Sequence, residues 1–313
     1  CLACALFRQH EGVGAAAGGH HVVRLGVPGS GKTMLASRLP TILPDLDPDT
    51  ALVTTSLHSV AGLVPTGTAL VRRPPFQAPH HSVTMAALIG GGSRTLTPGA
   101  ASLAHGGILF LDEAAEFAPS VLDSLREPLE SGVVNLHRSG IHARYPAAFQ
   151  LIMASNPCPC GGRRGGRRCT CSSLARRRYM ARLSGPLLDR MDIRIDVHTP
   201  TRADMAASGV SDSATIRERV CEARERSRHR LAGTPWTCNA QLPGAWIRRH
   251  SGIDAELVAQ LDRLVDAGAS SMRGVDRMLR LAWTLADLDG APTPTFDHIV
   301  AAQQLRNGHD HDN

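Results

Sequence analysis

The segment Gly26-Val27-Pro28-Gly29-Ser30-Gly31-Lys32-Thr33 fits the pattern G-x-x-x-x-G-K-[ST] at every fixed position, and it constrains the chain more than any other feature. His21 to Leu25 reads as a short buried strand, with Arg24 an awkward member, and Met34 to Pro40 has helix-forming character. Strand, glycine loop and helix form the order in which inward-turned N–H groups and a helix N-terminus cradle a phosphate chain. In that reading Lys32 reaches the β- and γ-phosphates of ATP and Thr33 holds Mg²⁺, while a glycine-rich turn that binds nothing is the plain alternative. Lys32 is the only lysine, and the remaining 33 basic residues are arginines. The plain reading of an arginine bias of that strength is genomic composition. The lone compact ammonium nevertheless falls at the position where a point charge suits phosphate better than a planar guanidinium does.

Two further apolar runs end in polar groups. Gly107 to Leu111 leads into Asp112-Glu113, as a buried parallel strand does when it delivers carboxylates to its C-terminal edge. Asp112 is then expected to bind Mg²⁺ through water and Glu113 to polarise the attacking water. Phe149 to Ser155 ends at Asn156-Pro157; the Asn156 amide either orients water and touches the γ-phosphate or simply opens a turn before proline.

The chain has 313 residues, enough for two domains, and its 42% hydrophobic and 20% charged content is ordinary for a globular protein. No apolar run approaches the roughly 20 residues of a membrane span, and nothing at the start reads as a leader, so no membrane partner and a cytoplasmic place are expected. Cys1 stands first where a methionine would be, which fits a chain lacking an upstream segment.

Four of the eight cysteines crowd together as Cys158-Pro159-Cys160 and Cys169-Thr170-Cys171. They read either as a four-thiolate Zn²⁺ site, with spacing tighter than the usual C-x₂-C, or as thiols in a loop. Cys1 and Cys4 carry little weight. From Ser131 to Leu188 there is no Asp or Glu, while arginine recurs at 138, 144, 163, 164, 167, 168, 176, 177, 178 and 182. Such a one-sign stretch attracts polyphosphate or nucleic acid, or is a solvated basic face. Aromatics are only 4% of the chain, so contact with DNA is expected through backbone phosphate and not through base stacking. Val133 to Leu136, a turn at Ser139-Gly140 and Ile141 to Tyr145 read as a β-hairpin.

Taken together, "GSGKTMLASRLPTILPDL", "FQAPHHSVTMAALIGGGS", "SLAHGGILFLDEAAEF", "LREPLESGVVNLHRSG", "NPCPCGG", "RLSGPLLDRMDIRIDV" and "RGVDRMLRLAWTLADL" resemble the magnesium-chelatase-like AAA+ ATPases, most closely their ComM/YifB competence-type branch. The likeness spans about residues 18 to 290 in the family's order. It implies an α/β fold, a P-loop AAA+ parallel sheet flanked by helices, with a small C-terminal all-α lid. It also implies a homo-oligomeric ring, usually a hexamer. Asn156 matches the sensor-1 position, Arg190 the arginine finger that serves a neighbouring subunit, and Arg273 sensor 2, with Arg277 a nearby rival. The hairpin matches the clade's pore hairpin, which would send Arg138 and Arg144 toward a channel. Departures are the missing N-terminal protease-like domain, an unmatched Leu6 to Val13 where adenine contacts are expected, Val27 in place of a common proline, Gln77 in place of arginine and Ala100 in place of glutamate.

The organisation expected is therefore a nucleotide-binding domain over 1–198, with an inserted region at about 58–105, the hairpin at 133–145 and a Cys-rich loop at 158–171. A helical lid over 199–307, packed against the nucleotide edge, and a disordered tail at 308–313 follow. The leading function is an Mg-dependent ATP-driven motor on DNA. The alternative is a chelatase-type ATPase subunit that drives metal insertion into a porphyrin through partner subunits.

Overall fold

In the computed structural model, residues 11–64, 67, 69–92, 95–138, 141–161, 169–197, 212–250, 252–266 and 271–307 are described. The Cys1–Cys4 pair, the turn at 139–140, arginines 163 to 168, the boundary at 198–199 and the tail at 308–313 lie outside them.

The strands are β1 (Val22–Gly26), β2 (Phe76–Gln77), β3 (Gly90–Gly91), β4 (Thr97–Pro98), β5 (Ile108–Leu111), β6 (Val133–Arg138), β7 (Ile141–Pro146), β8 (Gln150–Ser155) and β9 (Ile193–Val197). Five of them form one sheet in the order β2-β5-β8-β1-β9, every pair parallel. The hairpin β6–β7 and the two-residue pair β3–β4 stand apart from it. The longer helices are α1 (Glu11–Gly18), α2 (Lys32–Ile42), α3 (Pro48–Val60), α4 (Ser173–Met180), α5 (Ser213–Arg230), α6 (Gly244–His250), α7 (Ala255–Asp266), α8 (Met272–Asp289) and α9 (Phe296–Asn307).

The central strands are buried on both sides, which explains their unbroken apolar runs. Alternate residues go to opposite faces. Val22, Ile108, Phe110, Ile152 and Ala154 join one core, while Val23, Leu109, Leu111, Leu151 and Met153 join the other. Edge strand β9 alternates instead, with Ile193, Ile195 and Val197 buried and Arg194 and Asp196 exposed.

The C-terminal helices start at side-chain caps. Asp212 accepts from the Thr215 N–H at 2.8 Å, and the Ser271 hydroxyl accepts from Gly274 at 3.1 Å. Their apolar stripes then meet the sheet. Ile216 and Val220 of α5 and Val275, Met278 and Leu279 of α8 share one buried cluster with Leu35, Phe110 and Ile152. Helix α5 packs on α1 and α2, α8 on α1, and α9 on β9. The C-terminal helices thus share one hydrophobic cluster with α1, α2 and one face of the sheet, and α9 packs on edge strand β9.

The stretch 58–105 differs from a pure insertion. Phe76 and Gln77 pair in parallel with Ile108 and Leu109, so this segment supplies the edge strand of the main sheet.

Candidate active site

The phosphate loop leaves the C-terminal end of β1 and turns into α2. Gly29 and Gly31 adopt φ +77° and +86°, a left-handed conformation that a side chain would strain. Gly31 is the N-cap of α2 and offers no capping side chain, so first-turn N–H groups remain as donors at the positive end of the helix. The crest at Pro28-Gly29 is exposed, while Ser30 and Lys32 are buried beneath it. The Lys32 ammonium donates to the carbonyls of Gly26 at 2.6 Å and Val27 at 2.9 Å, and to Asn156 Oδ1 at 3.2 Å. Burial lowers its pKa from the ordinary value, and the nearby Asp112 and Glu113 carboxylates oppose that shift.

Because β1, β5 and β8 are adjacent and parallel, their C-terminal ends meet at one edge. There the Thr33 hydroxyl donates to Asp112 Oδ2 at 2.6 Å, and the Glu113 N–H donates to Asp112 Oδ1 at 2.9 Å. A hydroxyl beside a carboxylate is a hard oxygen pair of the kind Mg²⁺ takes, and the open helix N-terminus suits polyphosphate; the residues present therefore fit Mg·ATP. Glu113 is the one non-glycine residue with positive φ among those described, at 51°. Such a conformation costs on the order of 1 kcal/mol and is typical of sites where side-chain direction matters.

One partner of this site was not read from the sequence. His81 Nδ1 lies 3.2 Å from Glu113 Oε2, and its ring stands 4.0 Å from that of His80. His80-His81 carried no spacing signal of its own. Only the short strand β2, just before it, brings it to the sheet edge that holds Glu113.

Arg190 and Arg273 lie elsewhere. Both line a cleft of about 870 Å³, together with His21, Gly107, Gln150 and Asp192. Those four sit at the starts of β1, β5, β8 and β9, the edge opposite the phosphate loop. Five residues of β1 separate the edges, about 17 Å at strand rise. Arg190 pairs with Glu130 of its own chain. Arg273 is exposed, whereas its rival Arg277 reaches buried Asp192 at 3.4 Å. Burial pushes the Asp192 carboxyl up, but the hydrogen bond and charge of His20, with Arg277, outweigh it and hold the group well below the usual carboxylate range.

The four cysteines come together: the Sγ atoms of Cys158, Cys160, Cys169 and Cys171 all lie within 4.8 Å of one another. The hairpin forms as expected, but its register separates the two arginines. Arg144 faces Asn135 in the row of His137 and His142, while position 138 pairs with Ile141 in the alternate row with Leu136 and Val134. Asn135, His137, His142 and Arg144 are exposed, and the two histidines contact each other across the strands.

Among the described residues, no helix is long and apolar enough to cross a membrane. Residues 11–205 match the family described as magnesium chelatase, subunit ChlI, and residues 210–306 match the C-terminal region of the same subunit. The chain is 47% identical, over 93% of its length and 58% of the relative's, to an uncharacterized protein of Mycobacterium tuberculosis. It is 40% identical to the uncharacterized protein YifB of Escherichia coli and to the competence protein ComM of Haemophilus influenzae, over 93% of this chain and 56% of each relative. A magnesium-chelatase 38 kDa subunit of Acidiphilium rubrum is more distant, at 27% over 69% of the chain and 56% of that subunit. The chain thus spans somewhat more than half the length of these relatives. With the parallel sheet, the phosphate loop and both matched regions in the family's order, the chain belongs to the magnesium chelatase ChlI family of AAA+-type ATPases.

Proposed function

We propose that this chain is an Mg²⁺-dependent, ATP-hydrolysing motor that works in a homo-oligomeric ring, hexameric as in its family, and acts on DNA in the cytoplasm. The observation that carries the ATPase part is the meeting of Lys32, Thr33, Asp112, Glu113 and Asn156 at one sheet edge. On nucleotide binding, Lys32 exchanges the Gly26 and Val27 carbonyls for phosphate oxygens. Thr33 and Asp112 are the residues that would hold Mg²⁺, which would supply charge neutralisation at the phosphates. Glu113 orients and deprotonates the attacking water, and Asn156 positions it.

The ring is supported by where the arginines are. Arg190 and Arg273 stand a strand's length from their own phosphate loop, so they serve a neighbouring subunit's nucleotide or none. An isolated chain has no neighbour to supply that arginine and is therefore a slow ATPase, and in a ring Arg190 would have to leave Glu130.

The DNA part rests on the exposed hairpin row Asn135, His137, His142 and Arg144, and on the arginines of α4 in a stretch free of carboxylates. A chelatase-type ATPase subunit is the second reading, favoured by the match to ChlI over both regions. ATP turnover measured with and without single-stranded, duplex and forked DNA decides between them. Stimulation by any of the three supports the DNA motor, and none in an assembled ring overturns it.

A further inference from the structure

The cysteine cluster lies beside the phosphate loop, and its geometry fits a single metal ion. Three sulfur separations are 3.3, 3.5 and 3.7 Å, for Cys158–Cys160, Cys158–Cys169 and Cys160–Cys169. A disulfide needs about 2.05 Å, so these pairs are not bonded to each other. A tetrahedral ion with Zn–S bonds of about 2.3 Å sets its four sulfurs about 3.8 Å apart, close to what is seen. A cluster of two or more irons would spread them further. The closing segment, Gly162 to Arg168, is only glycine and arginine, so its sequence offers no apolar side chain to draw the cysteine pairs together. Charge is also accommodated: Cys171 directly precedes Ser172, the N-cap of α4, where a net negative tetrathiolate meets the positive end of a helix carrying Arg176, Arg177 and Arg178.

The turn that holds the first two cysteines touches the nucleotide loop. The Gly161 N–H donates to the Cys158 carbonyl at 3.0 Å, and Gly161 has φ +69°. A Cβ at Gly161 would stand 2.6 Å from Pro28 Cγ and 2.9 Å from Pro28 Cδ. The turn backbone therefore rests on the Pro28 ring at the crest of the phosphate loop. Cys158 is also two residues beyond Asn156, which accepts from Lys32.

We infer that Cys158, Cys160, Cys169 and Cys171 hold one Zn²⁺, and that this zinc turn buttresses the phosphate loop through the Gly161–Pro28 contact. The four thiols give up their protons to solvent as the ion binds. The second half of this inference rests on the nucleotide reading above, while the first half does not.

Elemental analysis of the reduced, chelator-free chain should find about one zinc per chain. Iron instead of zinc, or metal far below stoichiometry, overturns the site. Stripping with a chelator and adding Co²⁺ should give the intense visible bands of a tetrahedral cobalt thiolate, displaced by zinc; their absence overturns it as well. This measurement needs no variant, so a misfolded Cys160→Ser/Cys171→Ser chain cannot obscure the answer. Binding of a fluorescent ATP analogue should weaken about tenfold on stripping and recover when zinc is restored. Gly161→Ala should keep its zinc yet bind the analogue several-fold more weakly. Unchanged nucleotide affinity in both cases overturns the buttress. A chain that binds zinc but no nucleotide sinks the nucleotide reading and the buttress with it, and leaves the metal site supported.

Discussion

The Lys32 ammonium donates to the side-chain carbonyl of Asn156 at 3.2 Å, tying the phosphate loop to a strand end 124 residues further on. Two backbone carbonyls complete its coordination. Lys32→Ala removes the only lysine in the chain and should abolish Mg·ATP binding. Lys32→Arg should nearly do so, since a planar guanidinium cannot occupy the same three-acceptor pocket. Tight ATP binding by either variant in equilibrium titration would show that the loop is not used as argued.

Glu113 and His81 form the second pair to test, at 3.2 Å. Glu113→Gln should bind ATP normally and lose about 10²–10⁴-fold in turnover, the usual worth of a general base. If His81 serves to aim the Glu113 carboxylate, His81→Ala should lower kcat about tenfold with little change in nucleotide affinity. His81→Asn, which keeps a donor, should recover part of the loss. A His81→Ala chain with wild-type kcat would remove His81 from the site.

Much of this site was legible because its chemistry is local. A glycine loop, one lysine and two carboxylates after a run of apolar residues each declare themselves within eight positions. The buried strands were legible for the same reason: both faces are covered, so β5 and β8 read as unbroken apolar runs. What escaped depends on distant pairing. Phe76-Gln77 is too short to show a period and becomes a strand only against Ile108 and Leu109. Edge strand β9 did show alternation, Ile193-Arg194-Ile195-Asp196-Val197, and a period-two search would have found it. The hairpin's existence was readable from its turn, yet the opposite faces of positions 138 and 144 required the register.

Arg190 pairs with Glu130 in its own chain, so its use by a neighbour can be tested by mixing. Arg190→Ala should spare nucleotide binding and suppress hydrolysis, by up to about 10³-fold for an arginine finger. Mixed with Lys32→Ala, it should regain activity, since each subunit then supplies what the other lacks. Failure of every mixture, in rings confirmed by light scattering, would place Arg190 in a role within its own chain.

His21 gives the fold a pH dependence. Its Nδ1 accepts the Leu151 N–H at 3.0 Å, a bond that protonation breaks. Burial lowers its pKa to about 4; Asp192 opposes the shift, while Arg277, His20 and Arg280 add to it. The unfolded chain takes up this proton near the ordinary histidine value of 6.5. The stabilisation is therefore full well above pH 6.5 and lost as pH falls toward 4, about 3 kcal/mol in all. His21→Gln keeps an acceptor without a titration. Urea midpoints for it should fall less between about pH 7 and about pH 4.5 than those of the parent, and equal losses would exclude His21 as the source.

The hairpin separates the two classes of function. Arg144 shares an exposed row with Asn135, His137 and His142, whereas position 138 belongs to the other row. If the exposed row contacts DNA phosphates, Arg144→Ala should leave basal ATP turnover intact and reduce its stimulation by DNA. It should also flatten the dependence of log affinity on log salt by about one unit or slightly less. Arg138→Ala should do less than Arg144→Ala, because the register turns it from that row. Equal effects at both positions would favour a hairpin tip inserted into DNA over one face laid against it. A chelatase-type subunit would show no DNA stimulation to lose. The chain covers only somewhat more than half of its relatives, so the same substitutions belong in a full-length relative as well. DNA stimulation and salt slope that survive Arg144→Ala in both proteins would take the hairpin row out of the DNA contact.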